Sequence, residues 1–256
     1  MKKIIQDFKI IENKKISSDY FILKLLSKKK LAEILPGQFV QVLITNSKNT
    51  FLRRPFSIND VCYKENTISL FIKKKGEATK ALSHLKQGDY LNIIYPLGNF
   101  FSLPSSDKVL LVGGGFGIAP LLYLSKYLYN QNIIPYILIG GQKENDILEL
   151  DEFGKYGHVF VTTEDGSLGI KGLVTQHSVL KSDITTFKKI YTCGPNAMLK
   201  AVAKIAQNNN IDCEVSLENM MACGIGACLC CIVKTIRGNE RVCTEGPVFN
   251  AFDLCW

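Results

Sequence analysis

The 256-residue sequence has no long apolar run, and no stretch approaches the roughly 18 uncharged residues that a membrane-spanning helix needs. Asp7 and Lys9 interrupt the first residues before an apolar core can develop, so we expect neither an export signal nor a membrane anchor. The three histidines lie far apart, and no Ser/His/Asp or Cys/His arrangement indicates nucleophilic catalysis. These absences favour a cytoplasmic protein without nucleophilic catalysis.

Basic residues interleaved with aromatic residues, a common sign of nucleic-acid binding, are also missing. The formal net charge of +8 comes from lysines spread along the chain in short runs, which are typical of solvated faces. Apolar residues make up 46% of the chain and charged residues 21%, as in an ordinary folded protein. The composition therefore predicts no nucleic-acid partner.

Cysteine is abundant instead, and most of the nine cysteines lie near the C-terminus. Cys223, Cys228, Cys231 and Cys243 have the C-x4-C-x2-C…C spacing of a plant-type [2Fe–2S] cluster. Thiolates from one tight loop must converge on two irons, and glycines at 224 and 226 allow the backbone to bend that sharply. The spacing predicts a cluster that passes one electron at a time.

Two alternatives for these cysteines remain open. A disulfide framework belongs to small secreted chains and is disfavoured by the missing export signal. A zinc-binding interaction module is the stronger alternative, although zinc quartets usually consist of two separate C-x2-C pairs. Cys230 is surplus, because it could replace Cys231 only by shortening the second gap to one residue.

The chain divides into three predicted parts. Residues 1–103 contain several short β-rich runs separated by turns, which predict a small antiparallel barrel. Residues 104–210 alternate apolar strands with helical patterns, which predicts a parallel α/β sheet. Residues 211–256 form the cysteine-rich part.

Two turns of the α/β part are candidate ligand sites. A glycine-rich turn formed by Gly113, Gly114, Gly115 and Gly117 follows a strand and opens a helix, where a pyrophosphate can bind backbone N–H groups. Ile118 stands where a dinucleotide fingerprint requires glycine, so an ordinary turn explains the run equally well. Cys193, Gly194 and Pro195 form a second strand-end turn, which we expect on the same edge of the sheet.

The barrel carries two further candidates. Arg53, Arg54, Pro55, Phe56 and Ser57 suit a diphosphate and a flat ring, because guanidinium pairs with phosphate and the aromatic edge abuts the ring. Surface arginines flanking a core Phe56 are an equal alternative. The turn at Gly76, Glu77, Ala78 and Thr79 is a possible second phosphate-binding turn, although an ordinary turn is the simpler interpretation.

Six segments, taken in order, resemble the ferredoxin–NADP reductase superfamily and, within it, the family of electron transfer subunits of NAD-dependent dihydroorotate dehydrogenases. The resemblance covers essentially the whole chain. It is carried by residues 53–58, 96–99, 113–120, 164–169, 193–195 with 198–199, and 221–231 with 242–249.

The resemblance implies a cofactor for each part of the chain. FAD would be held in the barrel by Arg53 to Ser57, by Leu70, Phe71 and Ile72, and by Gly76 to Thr79. NAD(H) would lie over the glycine run near Cys193, Gly194 and Pro195, and the [2Fe–2S] cluster would be bound by Cys223, Cys228, Cys231 and Cys243. At position 78 the chain has alanine where glycine is common in the family. Small subunits of other flavoprotein reductases tend to have aspartate at the position of Cys223, so this cysteine favours the dihydroorotate dehydrogenase family.

The resemblance also implies the function. A catalytic subunit carrying FMN would oxidise dihydroorotate, and electrons would pass through the cluster and FAD to NAD⁺ in de novo pyrimidine (UMP) biosynthesis. The implied assembly is a heterotetramer of two plus two subunits. The alternative is an NAD(P)H-dependent flavin and iron–sulfur reductase component that feeds another partner.

The loop at residues 140–146 predicts a preference for NAD(H) over NADP(H). It contains no arginine for a 2′-phosphate, and Glu144 or Asp146 could accept a ribose hydroxyl. A solvated loop with little selectivity is the alternative.

Overall fold

The computed structural model describes residues 2–45, 47 and 49–256, which form two large sheets and a small hairpin. No helix within this part of the chain combines the length and apolar character needed to cross a bilayer.

The first sheet is antiparallel and has seven strands. These are β1 (Ile4–Lys15), β2 (Tyr20–Ser27), β3 (Phe39–Val42), β4 (Arg54–Ser57), β5 (Asp60–Cys62), β6 (Thr67–Lys73) and β7 (Tyr90–Leu97), with helix α1 (Glu77–Ser83) after β6. Their order in the sheet is β4-β3-β7-β1-β2-β6-β5. Phe8 and Leu23 on neighbouring strands are fully buried, and the Phe8 ring meets Tyr95 edge to face at 5.2 Å between centroids. This confirms the predicted antiparallel barrel-like part.

The second sheet also has seven strands and is parallel except for its last strand, which confirms the predicted α/β part. Its strands are β8 (Val109–Gly114), β9 (Tyr136–Gly141), β10 (His158–Thr163), β11 (Ile170–Lys171), β12 (Lys189–Cys193), β13 (Asp212–Ser216) and β16 (Val248–Asn250). The helices are α2 (Ala119–Tyr129), α3 (Leu150–Gly154) and α4 (Asn196–Asn208).

The strand order determines where the ligand crevice of this sheet lies. The order is β11-β10-β9-β8-β12-β13-β16. From β8 the chain adds β9 and β10 on one side, and then adds β12 and β13 on the other. The order therefore reverses between β8 and β12, and the carboxyl ends of strands at such a point form the ligand crevice of open α/β sheets. Gly113 and Cys193 are paired there, so the two predicted turns leave the sheet side by side.

The cysteine-rich part is joined to this sheet. It begins with β13 and ends near β16, and both strands pair in the parallel sheet. Between them lie the cysteine loop and a hairpin of β14 (Ile232–Thr235) and β15 (Gly238–Arg241). The predicted boundary at residue 211 thus falls just before a strand of the α/β sheet, and residues 211–256 extend that sheet.

A buried lysine fixes the segment that links the two sheets. Lys189 Nζ donates to Asp212 Oδ2 at 2.7 Å, Glu214 Oε1 at 2.9 Å and Ser102 Oγ at 2.7 Å. Burial disfavours the charge on Lys189, but its bonds to Asp212 and Glu214 outweigh burial and raise its pKa. Ser102 belongs to the linker, and its carbonyl also accepts from Tyr191 Oη at 2.7 Å. The network holds the barrel at a fixed place beside β12 and β13.

We expect Lys189→Met to destabilise the protein, because it leaves the carboxylates of Asp212 and Glu214 without their cation. The expected loss is about 3 kcal/mol, the lower end for breaking a buried ion pair, since Asp212 is half-exposed. For a chain of this size the loss corresponds to a thermal midpoint lower by about 6–12 °C. Thermal unfolding followed by circular dichroism measures it. Lys188→Met removes an exposed lysine next in sequence and serves as the control; equal midpoints for both variants would contradict the role of the network.

Candidate functional site

A cavity of about 640 Å³ opens at the reversal point of the parallel sheet. Among the predicted nucleotide-binding residues, the ones that line it are Gly114, Gly115, Gly117, Gly194 and Pro195. Gly113 and Cys193 do not line it, because both are buried within β8 and β12. The two turns therefore form one wall of a single crevice, as their positions in the sequence predicted.

Backbone packing explains the glycines of this wall. A Cβ on Gly117 would lie 2.5 Å from Gly194 Cα, and a Cβ on Gly194 would lie 3.0 Å from Gly114 N. The two turns thus touch through backbone atoms, and no larger residue fits between them. The short 3₁₀ turn Gly115–Ile118 then leads into α2, so the crevice is lined at the entrance of a helix, where phosphate groups bind in many proteins.

Carboxylates line the far side of this crevice. Asp146 and Glu164 line it together with Gln142, and no arginine occurs among the described residues that line it. Asp146 Oδ2 accepts from Lys143 N at 3.3 Å, which holds the carboxylate in the turn after β9. Glu144 does not line the cavity, and its N–H donates to Ser167 Oγ at 2.7 Å.

A second cavity, of about 610 Å³, lies on the barrel. The predicted FAD-binding residues that line it are Arg54, Pro55, Phe56, Ser57, Phe71, Ile72, Gly76, Glu77, Ala78 and Thr79. They come from β4, from β6 and from the start of α1. The structure thus brings together three segments that the sequence assigns to one site only through the resemblance.

Arg53 and Arg54 face opposite ways. Arg53 turns away from the cavity, and its guanidinium donates to Gln41 O at 3.3 Å, to Asn92 O at 3.0 Å and to Asn92 Oδ1. Arg54 lines the cavity, with Nη1 donating to Leu52 O at 2.9 Å. Leu70 is fully buried in the barrel core and does not reach the cavity.

Thr79 organises the turn at residues 76–79. Its Oγ1 accepts from Lys75 N at 2.8 Å and Gly76 N at 3.1 Å. The methyl group of Ala78 packs with the barrel core. A residue larger than glycine is therefore accommodated at position 78.

Three side chains that the sequence did not single out form the wall shared by the two cavities: Lys73, Phe116 and Glu218. Lys73 Nζ lies 5.8 Å from the centroid of the Phe116 ring. Glu218 Oε1 lies 3.9 Å from Cys193 Sγ, and burial raises the pKa of Glu218 to about 7 although the charge of Lys75 opposes the shift. Its signal in the sequence is an acidic residue two positions beyond the end of a strand, β13, at the edge of the sheet where ligands bind.

The cysteine loop is folded around one thiol. Cys223 Sγ accepts from the N–H groups of Ile225 at 3.5 Å, Ala227 at 3.3 Å and Cys228 at 3.4 Å. Burial opposes the thiolate, but these donors and the Cys228 side chain outweigh it and lower the pKa of Cys223 to about 6. Gly224 and Gly226 have φ of +68° and +88°, as the predicted tight turn requires, and Leu229 also has a positive φ, of +58°.

The four predicted ligands form two pairs. The thiol of Cys223 interacts with Cys228, and Cys231 interacts with Cys243, whose N–H also donates to Cys231 Sγ at 3.4 Å. Within the described part of the chain, no three Cys, His, Asp or Glu side chains converge as for a single metal ion. Two thiol pairs suit a two-iron cluster, which takes two protein ligands on each iron. Cys230 points elsewhere, with Sγ 3.9 Å from Met220 O.

An ion pair next to Cys243 is hydrogen-bonded to the cysteine loop. Arg241 Nη2 lies 2.5 Å from Glu245 Oε1, and Arg241 Nη1 donates to Gly226 O at 3.3 Å. The bond from Arg241 lowers the pKa of Glu245 to about 2. The residues flanking Cys243 thereby hold the loop that carries Cys223 and Cys228.

Family models match three consecutive parts of the chain. Residues 7–101 match an oxidoreductase FAD-binding domain, and residues 111–204 match an oxidoreductase NAD-binding domain. Residues 218–255 match the iron–sulfur cluster binding domain of dihydroorotate dehydrogenase B. The cofactors are therefore FAD, NAD and an iron–sulfur cluster.

Curated relatives match over nearly the full length. A protein of Caldanaerobacter subterraneus is 43% identical over 96% of both chains, and one of Fusobacterium nucleatum is 37% identical over 98% of both chains. Both are named dihydroorotate dehydrogenase B (NAD(+)), electron transfer subunit. These names favour the dihydroorotate reading over a reductase component for another partner.

Solved structures show the same fold. An NADH-dependent reduced ferredoxin–NADP oxidoreductase structure aligns with a TM-score of 0.86 and 29% identity, over 97% of this chain and 90% of that one. The ferredoxin reductase of a carbazole 1,9a-dioxygenase aligns with a TM-score of 0.70 and 17% identity, over 82% of this chain and 67% of that one. The second likeness concerns the fold alone.

We expect Arg54→Met to weaken FAD binding about 10- to 150-fold, through loss of a charge-assisted phosphate contact of about 1.5–3 kcal/mol. Fluorescence titration of the flavin-depleted protein with FAD measures it. Arg53→Met is the matched comparison, because it removes bonds within the barrel and should lower thermal stability more than FAD affinity. Tight FAD binding in Arg54→Met, with loss in Arg53→Met, would reverse the assignment.

We expect the protein to prefer NADH to NADPH, because Asp146 and Glu164 repel a 2′-phosphate in the crevice. Asp146→Asn keeps the shape of the side chain and should reduce the preference about fivefold, equivalent to about 1 kcal/mol. The ratio of kcat/KM for the two nucleotides in dye reduction measures it. Asp151→Asn, on an exposed position of α3, is the control; a wild type that favours NADPH would contradict the prediction.

Proposed function

Since the chain belongs to the family of electron transfer subunits of NAD-dependent dihydroorotate dehydrogenase B, we propose that it conducts electrons from a dihydroorotate-oxidising subunit to NAD⁺. The chain is an oxidoreductase component that binds FAD, NAD and an iron–sulfur cluster. The proposal adds that the cluster is of the [2Fe–2S] type and that the route serves pyrimidine biosynthesis.

The observation that carries the proposal is the continuity of the three sites. Lys73, Phe116 and Glu218 line both cavities, so the FAD and nucleotide cavities adjoin at one wall. Residues 216–221 line the FAD cavity, and Cys223 follows two residues later. Bound FAD supplies the exchange between two-electron chemistry at nicotinamide and one-electron chemistry at a cluster.

The residues of the chain bind and orient these groups. We assign Arg54 to the FAD diphosphate and the residues from Pro55 to Ser57 to the flavin side of the cavity. Gly114, Gly115, Gly117 and the turn at 194–195 bind the dinucleotide through backbone groups. Phe116, which lines both cavities, would help to exclude water from the wall between the two bound cofactors. Cys223, Cys228, Cys231 and Cys243 are the proposed cluster ligands.

The proposed division of the chain follows these roles. The part at 1–103 holds FAD, the part at 104–210 holds the nucleotide, and the part at 211–256 holds the cluster while it completes the parallel sheet. Because the relatives are subunits, the chain has a catalytic partner subunit. We propose that this partner carries FMN and that two copies of each subunit form a heterotetramer. We also propose a cytoplasmic location, since none of the nine cysteines is paired in a disulfide.

Exposed apolar side chains mark the face that we propose for this partner. Met220, Ile225 and Leu229 belong to the cysteine loop and its approach, and each is substantially exposed, Met220 to 86%. Phe51, which is also 86% exposed, follows Thr50 at the rim of the FAD cavity. Exposed apolar side chains that lie close together are typical of a surface that another protein covers. A catalytic subunit on this face would lie next to the cluster.

We expect Cys228→Ser to abolish the cluster and to leave FAD in place, because the loop lies outside the barrel. Cys230→Ser should leave iron and acid-labile sulfide unchanged at about two of each per chain, as a [2Fe–2S] cluster requires. Metal analysis with visible absorbance measures both. Loss of iron in Cys230→Ser with retention in Cys231→Ser would show that the ligand assignment is shifted, and zinc in place of iron would exclude the cluster.

The proposed function is tested by co-purification with a dihydroorotate-oxidising flavoprotein subunit. The complex should reduce NAD⁺ with dihydroorotate as electron donor, and either subunit alone should not. Cys228→Ser in the complex should remove NAD⁺ reduction while dye reduction by NADH continues through FAD. Light scattering tests the two-plus-two stoichiometry. Full NAD⁺ reduction by the complex without a cluster would contradict the proposed route.

A further inference from the structure

Gln41 lies in β3, and its buried side-chain amide lacks hydrogen-bond partners in the described part of the chain. The residue is fully buried, and neither Nε2 nor Oε1 has a hydrogen-bond partner among the described residues. A primary amide enclosed without partners is unfavourable, and buried polar groups in folded proteins are nearly always paired. The site of Gln41 is therefore incomplete without a further group.

The side chain of Gln41 lies against the cysteine loop. A Cβ on Gly224 would lie 2.3 Å from Gln41 Nε2 and 2.8 Å from Gln41 Cδ. Gly224 directly follows Cys223, the thiol toward which three backbone N–H groups already point. The loop therefore packs directly on the amide, and position 224 has no room for a side chain.

The remainder of Gln41 is fixed by the barrel. Its backbone pairs opposite Pro55 on one side and Ile94 on the other, and its carbonyl accepts from Arg53 Nη1 at 3.3 Å. Pro55 lines the FAD cavity. The amide is thus held by the strand that neighbours the FAD cavity, and it lies against the cysteine loop at Gly224.

We propose that Gln41 Nε2 donates a hydrogen bond to a sulfur of the cluster beside Cys223 and thereby raises the reduction potential of the cluster. Hydrogen bonds to cluster sulfurs tune the potential, and a donor favours the reduced cluster because one added electron makes its sulfurs more negative. Gln41 is then a positioning residue that ties the cluster loop to the FAD-binding strand. The inference rests on the proposed cluster ligands.

The test replaces Gln41 by methionine, which has a similar size and no donor. In the full-length protein, one-electron reduction of the cluster followed by electron paramagnetic resonance should show an equilibrium constant about tenfold lower, a midpoint shift of about 59 mV to lower potential. Iron, sulfide and flavin content should match the wild type. Gln131→Met, at an exposed position of the α/β part, is the control and should leave the potential unchanged. An unshifted potential in a fully loaded Gln41→Met would overturn the proposal.

A second measurement keeps the proposal testable if Gln41→Met fails to load its cluster. Wild-type protein labelled with ¹⁵N in glutamine side chains should show a ¹⁵N coupling to the reduced cluster in pulsed electron paramagnetic resonance, and Gln131→Met should retain it. A cluster signal without this coupling would overturn the role of Gln41 and leave the proposed function intact. Absence of any cluster signal in the wild type would instead overturn the proposed function.

Discussion

Residues 216–221 impose the central constraint on this molecule, because the same short segment serves three parts of the structure. Ser216 ends β13 of the parallel sheet, the segment lines the FAD cavity, and it leads into the loop of Cys223. Electron transfer between centres weakens steeply with distance. A chain that must place a cluster beside a flavin and a flavin beside a nucleotide therefore gains from making one segment part of all three surroundings.

That arrangement requires the barrel and the parallel sheet to keep a fixed position relative to each other. Lys189 holds the linker residue Ser102 to the edge of β13. On α2, Lys126 Nζ lies 2.6 Å from Asp60 Oδ1 of the barrel, and Tyr123 Oη donates to Ile34 O at 2.9 Å. The contacts fall on different strands and helices of the two parts. The wall between the two cavities is thus fixed from several sides.

The sequence predicted the elements well and the direction of single side chains poorly. The barrel, the parallel sheet and the two strand-end turns follow from local patterns of apolar residues and glycines. Arg53 and Arg54 show the limit: neighbours on a strand face opposite sides, but only the pairing of β4 with β3 decides which guanidinium meets the cavity. Leu70 was assigned to the FAD site with its neighbours, yet its side chain alternates into the core.

Three other residues could not be predicted from the sequence for a different reason. Lys73, Glu218 and Gln41 lie on separate elements and gain their importance only where those elements meet. Gln41 in particular reads as an ordinary polar residue of a short strand until the cysteine loop is placed on it. Contacts between residues almost two hundred positions apart leave no local pattern, because nothing in either segment specifies the other.

The two thiol pairs differ in their exposure, so the cluster site has a buried side and an exposed side. Cys231 and Cys243 are buried, and burial together with Cys231 raises the pKa of Cys243 to about 12. Cys228 is exposed, and the neighbouring Ile225 and Leu229 are exposed apolar side chains. A site that is closed on one side by its own fold and open on the other beside apolar residues is completed by contact with another surface. The open side of the cluster loop is therefore the side that the proposed partner subunit would cover, and the closed side is packed within this chain's own fold.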